Sequence, residues 1–192
     1  TWDQTHPFRA NQYLTLHSAI YRTEIIRQSG VVLPKHIFYE DNLFVYAPLP
    51  LTKKLIYLNE DLYRYLIGRD GQSVSEKIMM KRCTHQIEIA ERIFDMHDLK
   101  TILKENPKLG RYMYHEACFM LVIATVFTRL NRTEQAEQQV RDMWEHCRKT
   151  DPIMAAKMRR NILNFGANLP GTIGRGIGLK GYRVAHKIVQ FN

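Results

Sequence analysis

From residue 79 onward the apolar positions Met79, Met80, Cys83, Ile87, Ala90 and Phe94 recur at spacings of three and four. That period predicts an amphipathic helix running to about residue 97. Pro107 precedes an almost unbroken apolar stretch over 112–130, which predicts a buried helix. Residues 133–149 are polar apart from one stripe of Val140, Met143, Trp144 and Cys147, and Asp151-Pro152 opens a further helix with a cap followed by proline. Short loops between these segments predict antiparallel bundle elements. Before residue 76 the period is different. Residues 13–16, 37–39, 55–58 and 63–67 are short apolar or alternating runs of strand length. Ser18 is placed to cap a helix over 19–28 that stops at Gly30, and Asp41 opens a short helix to about residue 47, after which Pro48 and Pro50 force an extended exit. The fold expected is α+β and mostly α. A partial α/β unit covers 1–75, a bundle-like helical extension covers 76–165, and a basic glycine-rich tail covers 166–192.

The tail carries Gly166, Gly171, Gly174, Gly176, Gly178 and Gly181, which discourage a long helix. A short helix there would place Leu179, Tyr182, Ala185 and Ile188 on one side and Lys180, Arg183 and Lys187 on the other. Charge sharpens the contrast. The chain has net charge +9, yet Asp151 is its last acidic residue and seven Lys and Arg follow it, so residues 1–151 hold 21 basic against 19 acidic side chains. Such asymmetry points to an anionic partner surface and says nothing about fold. Cys83, Cys118 and Cys147 are odd in number, widely spaced and set among apolar neighbours, which predicts buried thiols in a reducing compartment and neither a disulfide framework nor a cysteine metal site. The most apolar run, 113–127, carries His115 and Glu116 and falls short of the ~20 residues needed to span a bilayer. The chain begins at Thr1 with no initiator Met and no leader pattern, so it is expected to be a processed product or an excised piece of a longer protein.

The strongest candidate chemistry is the adjacent pair Glu40 and Asp41, at the end of the apolar run 37–39. From the residues alone two roles stay open for Asp41: a helix cap contributing ~1 kcal/mol, or a carboxylate held on rigid backbone for proton transfer. Around the pair stand, in order, Ile20-Tyr21-Arg22-Thr23-Glu24, Phe38-Tyr39-Glu40-Asp41-Asn42, Tyr63-Arg64-Tyr65 and the loop from Arg69 to Ser75. In that order, over about residues 13–100, the chain resembles the acceptor-side half of a bacterial glycosyltransferase family 2 domain of the GT-A type. The resemblance implies Asp41 as the general base of an inverting sugar transfer and Glu40 as an orienting neighbour near the acceptor. His17 and Ser18 match the segment near the donor sugar, although Ser18 as a cap and His17 as a packed polar residue read equally well. Arg69, Gln72, Ser73 and Ser75 fall where family members carry a loop over the donor diphosphate, where an arginine would stabilise the leaving group's charge. Tyr63 and Tyr65 read as structural residues of a strand.

Such enzymes hold the diphosphate through a divalent cation, Mg or Mn, on an Asp-X-Asp motif. This chain has no Asp-X-Asp, and Asp95-Met-His-Asp98 has the wrong spacing. No cofactor is therefore expected in the chain itself, with the cation belonging to the full-length enzyme. The chain alone is expected neither to bind nucleotide-sugar tightly nor to transfer sugar. The implied partners are a nucleotide-sugar and a glycan or lipid-linked acceptor in cell-surface polysaccharide synthesis. The implied location is the cytoplasm, peripheral at the cytoplasmic membrane face, with residues 157–192 suited to anionic lipid at ~1 kcal/mol per basic residue. The competing reading is a non-catalytic basic helical module that binds nucleic acid, anionic membrane or a protein. The tail lacks the interleaved aromatics that stack on bases, which argues against nucleic acid.

Overall fold

The computed structural model describes residues 1–6, 8, 13–64, 66 and 75–171, with the glycines at 174, 176, 178 and 181. Among them the protein is mostly helical and has no strand. The helices are α1 (Thr23–Ser29), α2 (Asp41–Tyr46), α3 (Glu76–Lys81), α4 (Cys83–Asp95), α5 (Leu99–Glu105), α6 (Pro107–Arg129), α7 (Glu134–Thr150), α8 (Pro152–Arg159) and α9 (Ile162–Ala167). Short 3-10 turns occur at Trp2–Gln4, Leu16–Ser18 and Leu49–Leu51.

Helix α6, 23 residues long and so about 34 Å from end to end, is the axis on which α4, α5, α7 and α9 pack. Local chemistry sets the boundaries of α6 and of the helices that follow it. Asn106 accepts the Leu109 N–H at 3.2 Å ahead of Pro107, Thr133 accepts the Ala136 N–H at 3.1 Å, and Asp151 accepts those of Ile153 and Met154 at 3.1 and 2.9 Å. Each replaces a backbone partner missing from a helix's first turn. Gly30 ends α1 at φ 65°, where a side chain would be strained. Gly110 is required for another reason. A Cβ there would lie 2.6 Å from Leu103 Cα, so α5 and α6 touch backbone to backbone.

Of the predicted stripes, Cys83, Ala90 and Phe94 of α4 and Val140, Met143, Trp144 and Cys147 of α7 are buried, while Met79, Met80 and Ile87 are half-buried; Ile89 and Ile93 of α4, Met113 and Leu121 of α6 and Met158 of α8 complete the core. Each of the larger buried apolar side chains contributes roughly 1.5–3 kcal/mol on leaving water. Cys83, Cys118 and Cys147 are buried free thiols, and burial pushes Cys118 and Cys147 up to about 12. Helix α2 is rooted in the same core through Leu43 and Tyr46, joined by Leu49. The Tyr46 hydroxyl donates to the Met113 carbonyl at 3.3 Å, and Trp2 Nε1 donates to the Thr52 carbonyl at 2.8 Å. The C-terminal end of α2 is thereby fixed while its first residues remain at the rim.

Several expectations are corrected. None of the runs predicted as strands forms one among the described residues (residues 65 and 67 lie outside them), because none has a neighbour to complete a ladder. In 13–16, the Leu14 N–H goes to the Tyr112 hydroxyl instead, at 2.9 Å. In 37–39, Tyr39 at φ 72° breaks the extended conformation. Residues 52–59 are irregular, and no backbone group of 53–59 is hydrogen-bonded among the described residues. The helix expected over 19–28 begins only at Thr23. Ser18 uses its hydroxyl to close its own turn with Thr15, and Arg22 precedes the helix at ψ 134°. The helix expected over 79–97 divides at Arg82, φ −107° and ψ 26°, into α3 and α4. The helix proposed around Leu179 to Ile188 lies outside the described residues. No helix among those described is long and apolar enough to cross a membrane.

Candidate active site

Residues 35–40 turn the chain before α2. His36 at φ 60° and Tyr39 at φ 72° occupy the left-handed region, which costs a residue with a side chain roughly 1–2 kcal/mol. Helix α4 and the residue before it hold this turn. The Phe38 N–H donates to His85 Nδ1 at 3.1 Å, and the Arg82 guanidinium lies 3.3 Å from the centre of the Phe38 ring. A ring nitrogen accepting a backbone N–H carries no proton, so neutral His85 is protonated on Nε2. The Tyr39 carbonyl accepts both the Asn42 N–H at 3.2 Å and its Nδ2 at 2.9 Å. Glu40 and Asp41 therefore emerge from a braced turn at the head of a helix whose far end is in the core.

Asp41 is not the cap of α2. The cap position is Glu40, which makes no side-chain cap bond, and Asp41 is the first helical residue. Its carboxylate is half-buried. Burial raises its proton affinity and so does Glu40, while the Asp41 and Asn42 backbone N–H groups and His17 pull the other way, and the balance is upward. That is the direction a base requires. Asn42 Nδ2 also lies 3.3 Å from Asp41 Oδ1.

Of the residues expected at a site, three come together. The 3-10 turn Leu16–Ser18 carries His17 close enough to Asp41 to act on its charge, and the imidazole stacks on the Tyr63 ring with centroids 5.4 Å apart. Ser18 adjoins them, but its hydroxyl is paired with Thr15, donating to the carbonyl and accepting the N–H, each at 3.0 Å. Ser75 sits at the start of α3, exposed and without a side-chain cap bond, and no interaction joins it to the carboxylates. Arg69, Gln72 and Ser73 lie outside the described residues.

Other residues join the site that the pattern did not single out. Tyr63, read as structural, is exposed beside His17. Tyr13 packs on Phe119 of α6, centroids 5.6 Å apart, and feels the charges of both Asp41 and Glu116. Glu116 is buried in α6, and that burial pushes its carboxyl up to about 7. The available signal for Glu116 was an acid interrupting an otherwise apolar helix. Nothing in the spacing marked Tyr13. No cluster of three His, Cys, Asp or Glu suited to a metal ion exists among the described residues. No family model, curated protein or solved structure matches the chain.

Proposed function

We propose that this chain is the acceptor-side part of an inverting, GT-A-type glycosyltransferase, with Asp41 as the general base. The observation that carries the reading is the placement of Asp41: half-buried, raised in proton affinity, beside Glu40, and faced by a histidine from a segment 24 residues earlier in the chain. In the proposed step the acceptor hydroxyl gives its proton to Asp41 as its oxygen bonds to the anomeric carbon. The bond to the nucleoside diphosphate breaks on the opposite face, and the leaving group departs with the electron pair. His17 and Tyr63 offer a polar and aromatic wall suited to a sugar ring, and Glu40 orients the acceptor.

The extended segment after Leu51 supports the same reading. Ile56, Tyr57, Leu58, Leu62 and Tyr63 are all exposed, an apolar run of strand composition whose backbone over 53–59 makes no hydrogen bond among the described residues. Such a segment suits a sheet completed by further strands, here those of a nucleotide-sugar-binding half. The described residues do not offer a divalent cation three ligands in one place, so no step is assigned to one.

The test is sugar transfer by a protein that joins this segment to such a half, compared with its Asp41→Asn variant. The expected loss in kcat is about 10²- to 10⁴-fold, with donor KM little changed. Transfer at the parent rate by Asp41→Asn would remove the basis of the reading.

A further inference from the structure

We infer that Tyr112 of α6 is a positioning residue for the carboxylate site: through Leu14 it sets the segment that presents His17 to Asp41. This deepens the proposed function and rests on it for its catalytic meaning, though the coupling itself is independent of any enzymatic activity. Segment 13–18 has little secondary structure of its own. Among the described residues its attachments to α6 include the 2.9 Å hydrogen bond from the Leu14 N–H to the Tyr112 hydroxyl and the packing of Tyr13 on Phe119. Two residues beyond Leu14 begins the turn that carries His17. Tyr112 is itself well fixed. Its ring is buried and stacked on Trp2 with centroids 5.8 Å apart, and its hydroxyl interacts with the Glu116 carboxyl.

A hydroxyl has one proton to donate and lone pairs to accept. At Tyr112 the lone pair takes the Leu14 N–H, which leaves the proton available to Glu116, one turn on in the same helix. Glu116 Oε2 is buried without a hydrogen-bond partner, so this carboxyl has no competing donor there. The backbone amide of Leu14 is thus tied to a rigid helix by one side chain. A one-ångström displacement of a site group is enough to cost a reaction of this kind on the order of 10²-fold, so the attachment bears directly on the site.

The experiment reads the attachment through the charge coupling at the far end. The charged groups that act on Asp41 are Glu40 and His17, and Asp41 acts in turn on Tyr13 and Tyr39. The Asp41 titration midpoint is followed by carboxyl NMR in the parent chain, His17→Gln, Tyr112→Phe and the double variant. Removing His17 should raise the midpoint in the parent, because His17 lowers it. In the Tyr112→Phe background, which keeps the ring and removes only the hydroxyl, the His17→Gln effect should vanish. An equal effect in both backgrounds overturns the inference. A purely structural role for Tyr112 would lower the melting temperature and leave the coupling between His17 and Asp41 intact. Should Tyr112→Phe fail to fold, hydrogen exchange in the parent decides the matter: the Leu14 amide is expected to be protected at least 10-fold relative to a free peptide, and exchange at the free-peptide rate overturns the inference. Failure of Asp41→Asn to slow transfer would sink the enzymatic reading while leaving this coupling to stand or fall by its own measurement.

Discussion

Glu116 is an acid in the wrong solvent, and the consequence for stability can be worked out. Its carboxyl is raised from 4.5 to about 7 by burial, with the Tyr112 hydroxyl only partly opposing the shift. A group whose folded-state pKa lies above its unfolded value favours the fold in its protonated form. Its contribution is complete below about pH 4.5 and is lost as pH rises through about 7. At 1.36 kcal/mol per unit, the displacement from 4.5 to about 7 corresponds to about 3 kcal/mol of lost stability at pH 8, against about 1 kcal/mol at pH 5. Glu116→Gln removes the charge and keeps an oxygen to accept from Tyr112. The variant should therefore outlast the parent at pH 8 by about 2–3 kcal/mol, the lower figure allowing for burial of the amide, and by about 1 kcal/mol or less at pH 5. In a chain of 192 residues this is a rise in Tm of roughly 5–10 °C at pH 8, shrinking to a few degrees at pH 5. Thermal melts followed by circular dichroism at half-unit pH steps measure it. Parallel Tm curves for parent and variant across pH 5–8 would refute the argument, since they would place the Glu116 carboxylate in contact with water or a cation.

Three further outcomes follow from the packing. Gly110→Ala should lower stability by about 1–3 kcal/mol, because the added methyl meets the Leu103 backbone at 2.6 Å and forces α5 from α6; a chemical denaturation midpoint equal to the parent's would show that the helices separate freely. Leu121→Ala, at a fully buried site in the middle of α6, should cost about 3–5 kcal/mol in the same assay. Amides 53–59 in this chain should exchange within seconds at neutral pH while those of α6 persist for hours or longer; equal protection would show a hydrogen-bonded partner for this segment and contradict its description as irregular and without backbone hydrogen bonds among the described residues.

The features legible in the sequence are those decided by neighbours within a few residues. Thr133, Asp151-Pro152 and Gly30 act within one helical turn, and α1, α7 and α8 start or stop where these residues stand. The buried stripe of Val140, Met143, Trp144 and Cys147 is likewise a matter of period. Strands are different, since a run such as 55–58 becomes a strand only when a partner supplies the other half of each hydrogen bond. Its apolar composition predicted a strand, and none forms because the described residues supply no such partner. The break at Arg82 was hidden because the stripe from Met79 to Phe94 continues across it.

The site divides in the same way. Glu40 and Asp41 stand out locally as adjacent acids after an apolar run. The approach of His17, the stacking of Tyr63 on it and the nearness of Glu116 to Tyr13 depend on chain segments brought together from far apart by packing on α6. No spacing rule encodes such contacts. Glu116 alone left a trace, as an ionisable residue among the apolar positions of a buried helix.

The central claim is that Asp41 accepts the acceptor's proton, and the most direct measurement is the pH dependence of kcat/KM for sugar transfer in a protein joining this segment to a nucleotide-sugar-binding half. The expected profile has an acidic limb whose midpoint lies above that of an ordinary aspartate, the direction set by burial and by Glu40. In Asp41→Asn that limb should disappear together with at least about 10²-fold of the rate. A profile in which Asp41→Asn keeps both the limb and the rate would contradict the account.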